Sequence, residues 1–267
     1  MTTDLNRLNG KIALVTGASR GLGQCTALAL ARQGAHVVLV ARTESALKET
    51  SEKIKAAGGA ATPFSANVAD AEQVFNLQRR IAAEIGTVSI LVNVAGTFGP
   101  LEMFKDTDPK DWVETIMVNT IGPYYACRAF VGDMIKQKWG RIINFSSAAA
   151  LHTPGPMNSA YATSKVALNH FTRHLAAELK GTGVTANALH PGDCKTEMWA
   201  DMRNMALEQG DAGKGCMDWV KWVEETGGDD PQKAAALVLR LCSAEAATTS
   251  GQFLWIENPL QKPIPSW

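Results

Sequence analysis

Tyr161 and Lys165 stand four residues apart in the run 159–169, SAYATSKVALN. On a helix that spacing puts a phenol and an ammonium on one face, within reach of one reacting group. Such a pair can move a proton. A tyrosine ordinarily titrates near pH ~10, and bringing it to about 7 takes roughly 4 kcal/mol of preferential stabilisation of the phenolate. A lysine charge about 4 Å away, in an effective dielectric of about 20, supplies that order before the desolvation of both groups is subtracted. The spacing alone also suits an ordinary helix surface, with the lysine stem covering the ring, so the pair needs a context.

The N-terminal end supplies one. Residues 11–18, KIALVTGA, form a short apolar run that stops at Gly17, and the segment Gly17, Ala18, Ser19, Arg20, Gly21, Leu22, Gly23 leads into an alanine-rich stretch ending near Gly34. This reads as strand, tight turn and helix. Glycine permits the sharp exit at 17, and small residues at 21 and 23 let backbone and helix approach a pyrophosphate at the helix N-terminus. The next apolar run, HVVLVA at 36–41, completes strand, glycine turn, helix and strand within about 30 residues, the context that makes a glycine motif a dinucleotide site.

These elements must be held by a larger frame. Apolar runs at 11–16, 36–41, 60–66, 88–93, 141–146, 184–189 and 252–256 alternate with helical patterns, with no linker between them. One α/β domain over 1–267 is expected, its doubly wound parallel sheet of about seven strands covered by helices on both faces. Lys plus Arg and Asp plus Glu each total 26, so the formal charge is zero and nothing steers the chain toward a polyanion. Neither a basic stripe nor an apolar run of roughly 18 residues occurs, which argues against nucleic-acid or membrane partners. The polar N-terminus lacks a signal-peptide segment, and a cytoplasmic location is expected. Cys25, Cys127, Cys194, Cys216 and Cys242 are odd in number and widely spaced. They read as reduced, packed thiols, with no metal site expected.

Taken together, the chain resembles the short-chain dehydrogenase/reductase family over almost its whole length, as a carbonyl or 3-oxoacyl reductase-like member of Rossmann-type fold. The resemblance rests on Thr16 to Gly23, on Asn93-Val94-Ala95-Gly96 after a strand, and on Asn119 in a helical segment. It continues with Ser147 ahead of Tyr161 and Lys165, and with Pro191-Gly192 followed by Thr196 and Met198. It implies that Tyr161 exchanges the proton at the reacting oxygen, that Lys165 lowers the phenol's pKa and holds the nicotinamide ribose, and that Ser147 binds the same oxygen. Asn119 would hold a water beside the lysine. Ser146 is the neighbouring alternative to Ser147, because adjacent strand side chains point to opposite faces. The implied cofactor contacts are Gly17, Ser19, Arg20, Gly21, Leu22, Gly23, Arg42, Asn67, Val68, Asn93, Ala95, Gly96, Tyr161, Lys165, Pro191, Gly192, Cys194 and Thr196. Asn67 stands where an acid is common near the adenine, and Val94 where a second asparagine is common. The implied reaction is reversible reduction of a ketone, with an alcohol dehydrogenase or a noncatalytic nucleotide-binding protein as the other readings.

Three further expectations follow. An NAD site commonly carries an acid about 20 residues past the glycine motif, at the ribose 2′-hydroxyl. Here the second strand ends in Ala41 and Arg42, with Arg20 in the turn and Glu44 as the only nearby acid. Two guanidiniums suit a 2′-phosphate, so NADP(H) is expected. A lid at 194–225 should bring Met198, Trp199, Met202 and Met205 over the site, opposite Leu151, Thr153, Pro154 and Met157, with Arg203 and Lys214 reading as solvated surface. The tail at 252–267, with Leu260, Ile264 and Trp267 among three prolines, suggests an oligomer contact, a homotetramer with a dimer as the alternative.

Overall fold

Seven parallel strands, in the order β3-β2-β1-β4-β5-β6-β7, form the sheet of the computed structural model, which describes residues 7–256. The strands are β1 Ile12–Thr16, β2 His36–Ala41, β3 Ala60–Ser65, β4 Ile90–Asn93, β5 Gly140–Phe145, β6 Val184–His190 and β7 Phe253–Trp255. Every expected strand forms, with ends within two residues of those read from the sequence. Residues 257–267, and with them Leu260, Ile264 and Trp267 of the expected oligomer-facing tail, lie outside the described residues.

Nine α-helices connect and cover the strands among the described residues: α1 Gly21–Arg32, α2 Glu44–Ala56, α3 Ala71–Glu84, α4 Pro109–Ile116, α5 Gly122–Lys136, α6 Ser159–Glu178, α7 Glu197–Glu208, α8 Lys214–Thr226 and α9 Pro231–Leu241. The strands are apolar on both faces because each face is covered. In β1, Ala13 and Val15 join the core beneath α1, α2 and α9, where Leu30, Leu47, Leu237 and Leu241 pack. Leu14, between them, faces the opposite core with Leu77, Ile81, Phe130 and Met134 of α3 and α5. The two-residue period of the strand thus divides one apolar run between two cores.

Strand order reverses beside β1: β2 pairs on one side and β4 on the other. A crevice opens at such a switch point above the carboxyl ends of the strands. The segments with the chemistry-bearing residues all leave those ends: the glycine turn after β1, Val94 to Gly96 after β4, Ser146 and Ser147 after β5, and Pro191-Gly192 after β6.

Candidate active site

The glycine turn is pinned from two sides. The Ala18 N–H donates to the Val40 carbonyl at 3.1 Å, and the Thr16 hydroxyl accepts from the N–H groups of Val94 (3.1 Å) and Ala95 (3.2 Å). Gly17 has φ +67°, and a Cβ there would stand 2.8 Å from the Ala95 Cα, so the turn and the β4 loop approach only without a side chain. Helix α1 then begins at Gly21 with no side-chain cap from Arg20 and no acid in its first turn. Its opening N–H groups and positive end are therefore available to an anion. This donor set suits a dinucleotide pyrophosphate.

Helix α6 positions the proton-transfer pair. Its inward stripe runs Ala160, Ser164, Lys165, Leu168, Thr172 and Ala176, so the lysine lies on the buried face. The Lys165 Nζ donates to the Phe145 carbonyl at 2.9 Å and sits 5.6 Å from the Tyr161 ring centroid. A Cβ on Gly96 would come within 3.8 Å of that Nζ, which places the β4 loop directly against the lysine. Burial lowers the Lys165 pKa to about 8. Tyr161 stacks on Phe98 with centroids 4.8 Å apart.

The Tyr161 phenol differs from the expectation. Its pKa is raised, first by burial, against which the nearby Ser147 hydroxyl acts, and further by the charge of Asp193. Without cofactor, loss of solvent outweighs any help from the lysine, whose own charge is costly at the same depth. The phenol is accordingly protonated at neutral pH, the form that gives a proton to an oxygen.

Both serines follow the last residue of β5 and line the cavity, so strand alternation does not separate them; their partners differ. Ser147 caps a short 3-10 turn at Ala148–Ala150, its Oγ accepting from the Ala149 N–H at 3.2 Å, and its hydroxyl is near enough to Tyr161 to lower the phenol's pKa. Ser146 is 3% exposed, with its Oγ lacking a protein partner.

Asn119 lies in a π-helical turn, Met117–Ile121, between α4 and α5. Its side chain is fully committed: Oδ1 accepts from the Thr97 N–H (2.9 Å), and Nδ2 donates to the Thr97 carbonyl (2.8 Å) and to the Ser164 Oγ (3.0 Å). Pro123, four residues on, lacks the N–H that an α-helix would send to the Asn119 carbonyl. The missing N–H shifts the local pairing from the α to the π pattern. The Gly122-Pro123 pair is the sequence signal for this break.

A cavity of about 540 Å³ joins these parts, running from Leu22 and Gly96 past Ser147, Tyr161 and Lys165 to α7 and α8. Pro191, Gly192, Cys194 and Thr196 line it, as expected, and Met198, Trp199 and Met202 form part of the wall expected of the 194–225 segment, while Met205 packs against the neighbouring core instead of lining it. Of the opposite wall, Met157 lines it, whereas Leu151, Thr153 and Pro154 do not. Cys194 is no nucleophile, since burial, then Asp229 and Asp193, push its thiol up to about 12. Gly17, Ser19, Arg20, Gly21 and Gly23 form the turn at the cavity's end, with Ala95 against it.

Three expected cofactor contacts turn elsewhere. The Asn93 amide points into the sheet and donates to the Asn144 Oδ1 at 2.8 Å, continuing through Asn144 to Thr172. The Asn67 Oδ1 accepts locally from the Ala69 N–H at 3.1 Å, and Val68 packs beneath Gly122. Arg20 and Arg42 are exposed at the ends of two segments joined by the Ala18–Val40 bond, and neither is ion-paired among the described residues. Glu44 is turned along α2 to Lys48 at 3.5 Å.

The sequence reading passed over Asp193, His152 and His190, all in the cavity wall. Burial, then His152, lower the His190 pKa to about 4 against the pull of Asp229, and its Nδ1 accepts from the Ala148 N–H at 3.2 Å. The ring is thus neutral and braces the Ser147 turn.

A parallel sheet with a bare glycine turn at its switch point, and a Ser, Tyr and Lys converging on one cavity, define a Rossmann-type oxidoreductase. The chain belongs to the short chain dehydrogenase family, whose model matches residues 11–207. It is 41% identical over 196 residues to a short chain dehydrogenase of Pseudocercospora fijiensis (strain CIRAD86), an alignment covering 73% of this chain and 63% of that protein. Among solved structures it resembles a variant actinorhodin polyketide ketoreductase with NADPH (28% identity, TM-score 0.84, 92% of this chain and 95% of that one). It also resembles an NAD⁺-bound xylitol dehydrogenase (26% identity, TM-score 0.85, 94% and 98%).

Proposed function

We propose that the protein reduces a ketone to a secondary alcohol, reversibly, using NADPH. The observation that carries this reading is the convergence of Ser147, a protonated Tyr161 and the buried Lys165 on a cavity that reaches the bare N-terminus of α1. When bound, the cofactor supplies the hydride. The α1 N-terminus and the glycine turn hold its pyrophosphate, and Lys165, beside Gly96, holds the nicotinamide ribose. Ser147 donates to the carbonyl oxygen and stabilises the negative charge that develops there. Tyr161 gives that oxygen its proton, and Lys165, with a water held at Asn119, would resupply the phenol. In the oxidative direction the Lys165 ammonium would favour the phenolate by its charge, the more so in a site from which water is excluded.

NADPH is preferred over NADH because Ala41 offers no acid to the ribose 2′ position, Glu44 is occupied by Lys48, and Arg20 and Arg42 are free to hold a phosphate. The NADPH-bound ketoreductase supports this cofactor, while the NAD⁺-bound dehydrogenase shows that the fold serves both. A screen of ketones and alcohols with all four nicotinamides tests the reading. Carbonyl reduction with NADPH is expected to dominate, and nucleotide binding without turnover of any ketone or alcohol would count against it. Arg42→Ala should lower kcat/KM for NADPH by at least about tenfold, the worth of one charge-assisted contact, and leave NADH use far less affected. Equal losses with both cofactors would contradict the assignment of Arg42.

A further inference from the structure

One carboxylate stands in the cavity that the mechanism above does not use. Asp193 follows Gly192, whose φ of +85° and tight approach to Asp229 allow no side chain, so the turn after β6 is fixed against the segment leading into α9. Two backbone contacts lock it there: the Asp193 N–H donates to the Asp229 Oδ2 at 3.0 Å, and the Asp229 N–H donates to the Asp193 carbonyl at 3.0 Å. With its main chain committed, Asp193 joins the cavity wall together with Trp219 of α8, whose indole N–H is near enough to lower the carboxyl's pKa. It lies near enough to Tyr161 for its charge to raise the phenol's pKa.

A carboxylate presents about four acceptor positions, and the Trp219 indole, with a single N–H, could fill at most one. Removing the rest from water without replacement donors is costly, and burial does push the Asp193 carboxyl up, with Asp229 adding to that and Trp219 and His152 opposing it. Donors for the remaining positions have to come from whatever occupies the cavity.

We propose that Asp193 is a specificity-determining residue that accepts a hydrogen bond from a hydroxyl carried by the ketone substrate, so that the apolar cavity selects hydroxylated ketones over their plain counterparts. This rests on the ketone-reductase reading and names the substrate class for it. A site built to bond a substrate hydroxyl discriminates against the analogue lacking it, because its own buried group is then left unpaired.

The test compares cyclohexanone with 2-, 3- and 4-hydroxycyclohexanone in the full-length protein with NADPH, for wild type, Asp193→Ala and Asp193→Asn. The best hydroxylated isomer should exceed cyclohexanone by about tenfold or more in kcat/KM in wild type, the worth of one hydrogen bond to a charged group. Asp193→Ala should collapse that ratio toward one. Asp193→Asn, which keeps an acceptor oxygen, should restore much of it. A wild-type ratio near one, or a ratio unchanged in Asp193→Ala, overturns the proposal. Calorimetric titration of the same four compounds into the NADP⁺-loaded proteins separates it from the reading beneath it. If no ketone is turned over, the reductase reading fails, while binding of a hydroxycyclohexanone that weakens in Asp193→Ala but not in Asp193→Asn still upholds the subsite. Equal binding across the three proteins removes it.

Discussion

Lys165 carries its charge at a place that does not favour one. The fall of its pKa from 10.5 to about 8 corresponds to about 3 kcal/mol spent on a buried ammonium at neutral pH. Because the folded pKa is depressed, the unfolded chain binds more protons between pH 8 and 10.5, and this group's contribution to stability rises with pH across that window. Lys165→Met should therefore unfold in urea at pH 7 at a midpoint no lower than wild type, while ketone reduction falls by about 10² or more. A midpoint well below wild type would mean that the bond to the Phe145 carbonyl outweighs the burial cost. At this scale the Tyr161 and Lys165 pair and the glycine turn were legible because spacing and turn chemistry are local, whereas Ser147 was offered only by the family resemblance, with Ser146 beside it. The sequence did not reveal Asp193. An aspartate after Pro-Gly reads as a solvated turn residue, and only the return of α8, bringing Trp219, makes it a cavity wall.

Helices α7 and α8 show how far an element can be read from its apolar spacing. Met198, Trp199 and Met202 suggested either a pocket wall or packing under a helix, and Trp199 does both: it lines the cavity and packs with Met202, Val220 and Val223. Trp199→Ala should remove roughly 3–5 kcal/mol of packing and loosen α8 from α7, raising KM for bulky ketones several-fold while NADPH binding by fluorescence is unchanged. Unaltered KM across ketone sizes would assign the ring to packing alone. The π turn holding Asn119 was not legible from helical periodicity, since one extra residue in a turn barely moves the pattern; its physical mark is Pro123. The junction of β5 and β6 has its own signature. His190 stays neutral in the fold with a pKa of about 4 against an ordinary 6.5, so the unfolded chain binds more protons between those values. Stability should fall by up to about 3 kcal/mol as pH drops from 6.5 to 4, and His190→Asn should flatten that part of the curve in urea titrations. An identical acid limb in the variant would place the loss elsewhere.

For the molecule as a whole, the alternation of apolar runs and helical segments was enough to anticipate all seven strands, because a sheet buried on both faces writes its strands as continuous apolar runs. The order of those strands, and hence the crevice beside β1, was not legible in the runs themselves. Assembly belongs to this scale too. Tyr124 and Ile135 on α5, Val166 on α6 and Val113 on α4 are 45%, 40%, 37% and 52% exposed, a good deal of apolar surface for neighbouring helices to leave uncovered. A homotetramer, with a dimer as the lesser form, is the expected state, and light scattering at micromolar concentration with NADPH present should report it. A monomer under those conditions would contradict the prediction. No helix among the described residues is long and apolar enough to cross a membrane.

The central claim is that Tyr161 delivers the proton in ketone reduction, and Tyr161→Phe tests it most directly because the ring and its stacking on Phe98 are kept while the hydroxyl is lost. The variant should bind NADPH with wild-type affinity and lose about 10²–10⁴ in kcat/KM for every ketone that the wild type reduces, the range a general acid contributes. A Tyr161→Phe protein that binds NADPH normally and retains full ketone turnover would contradict the account.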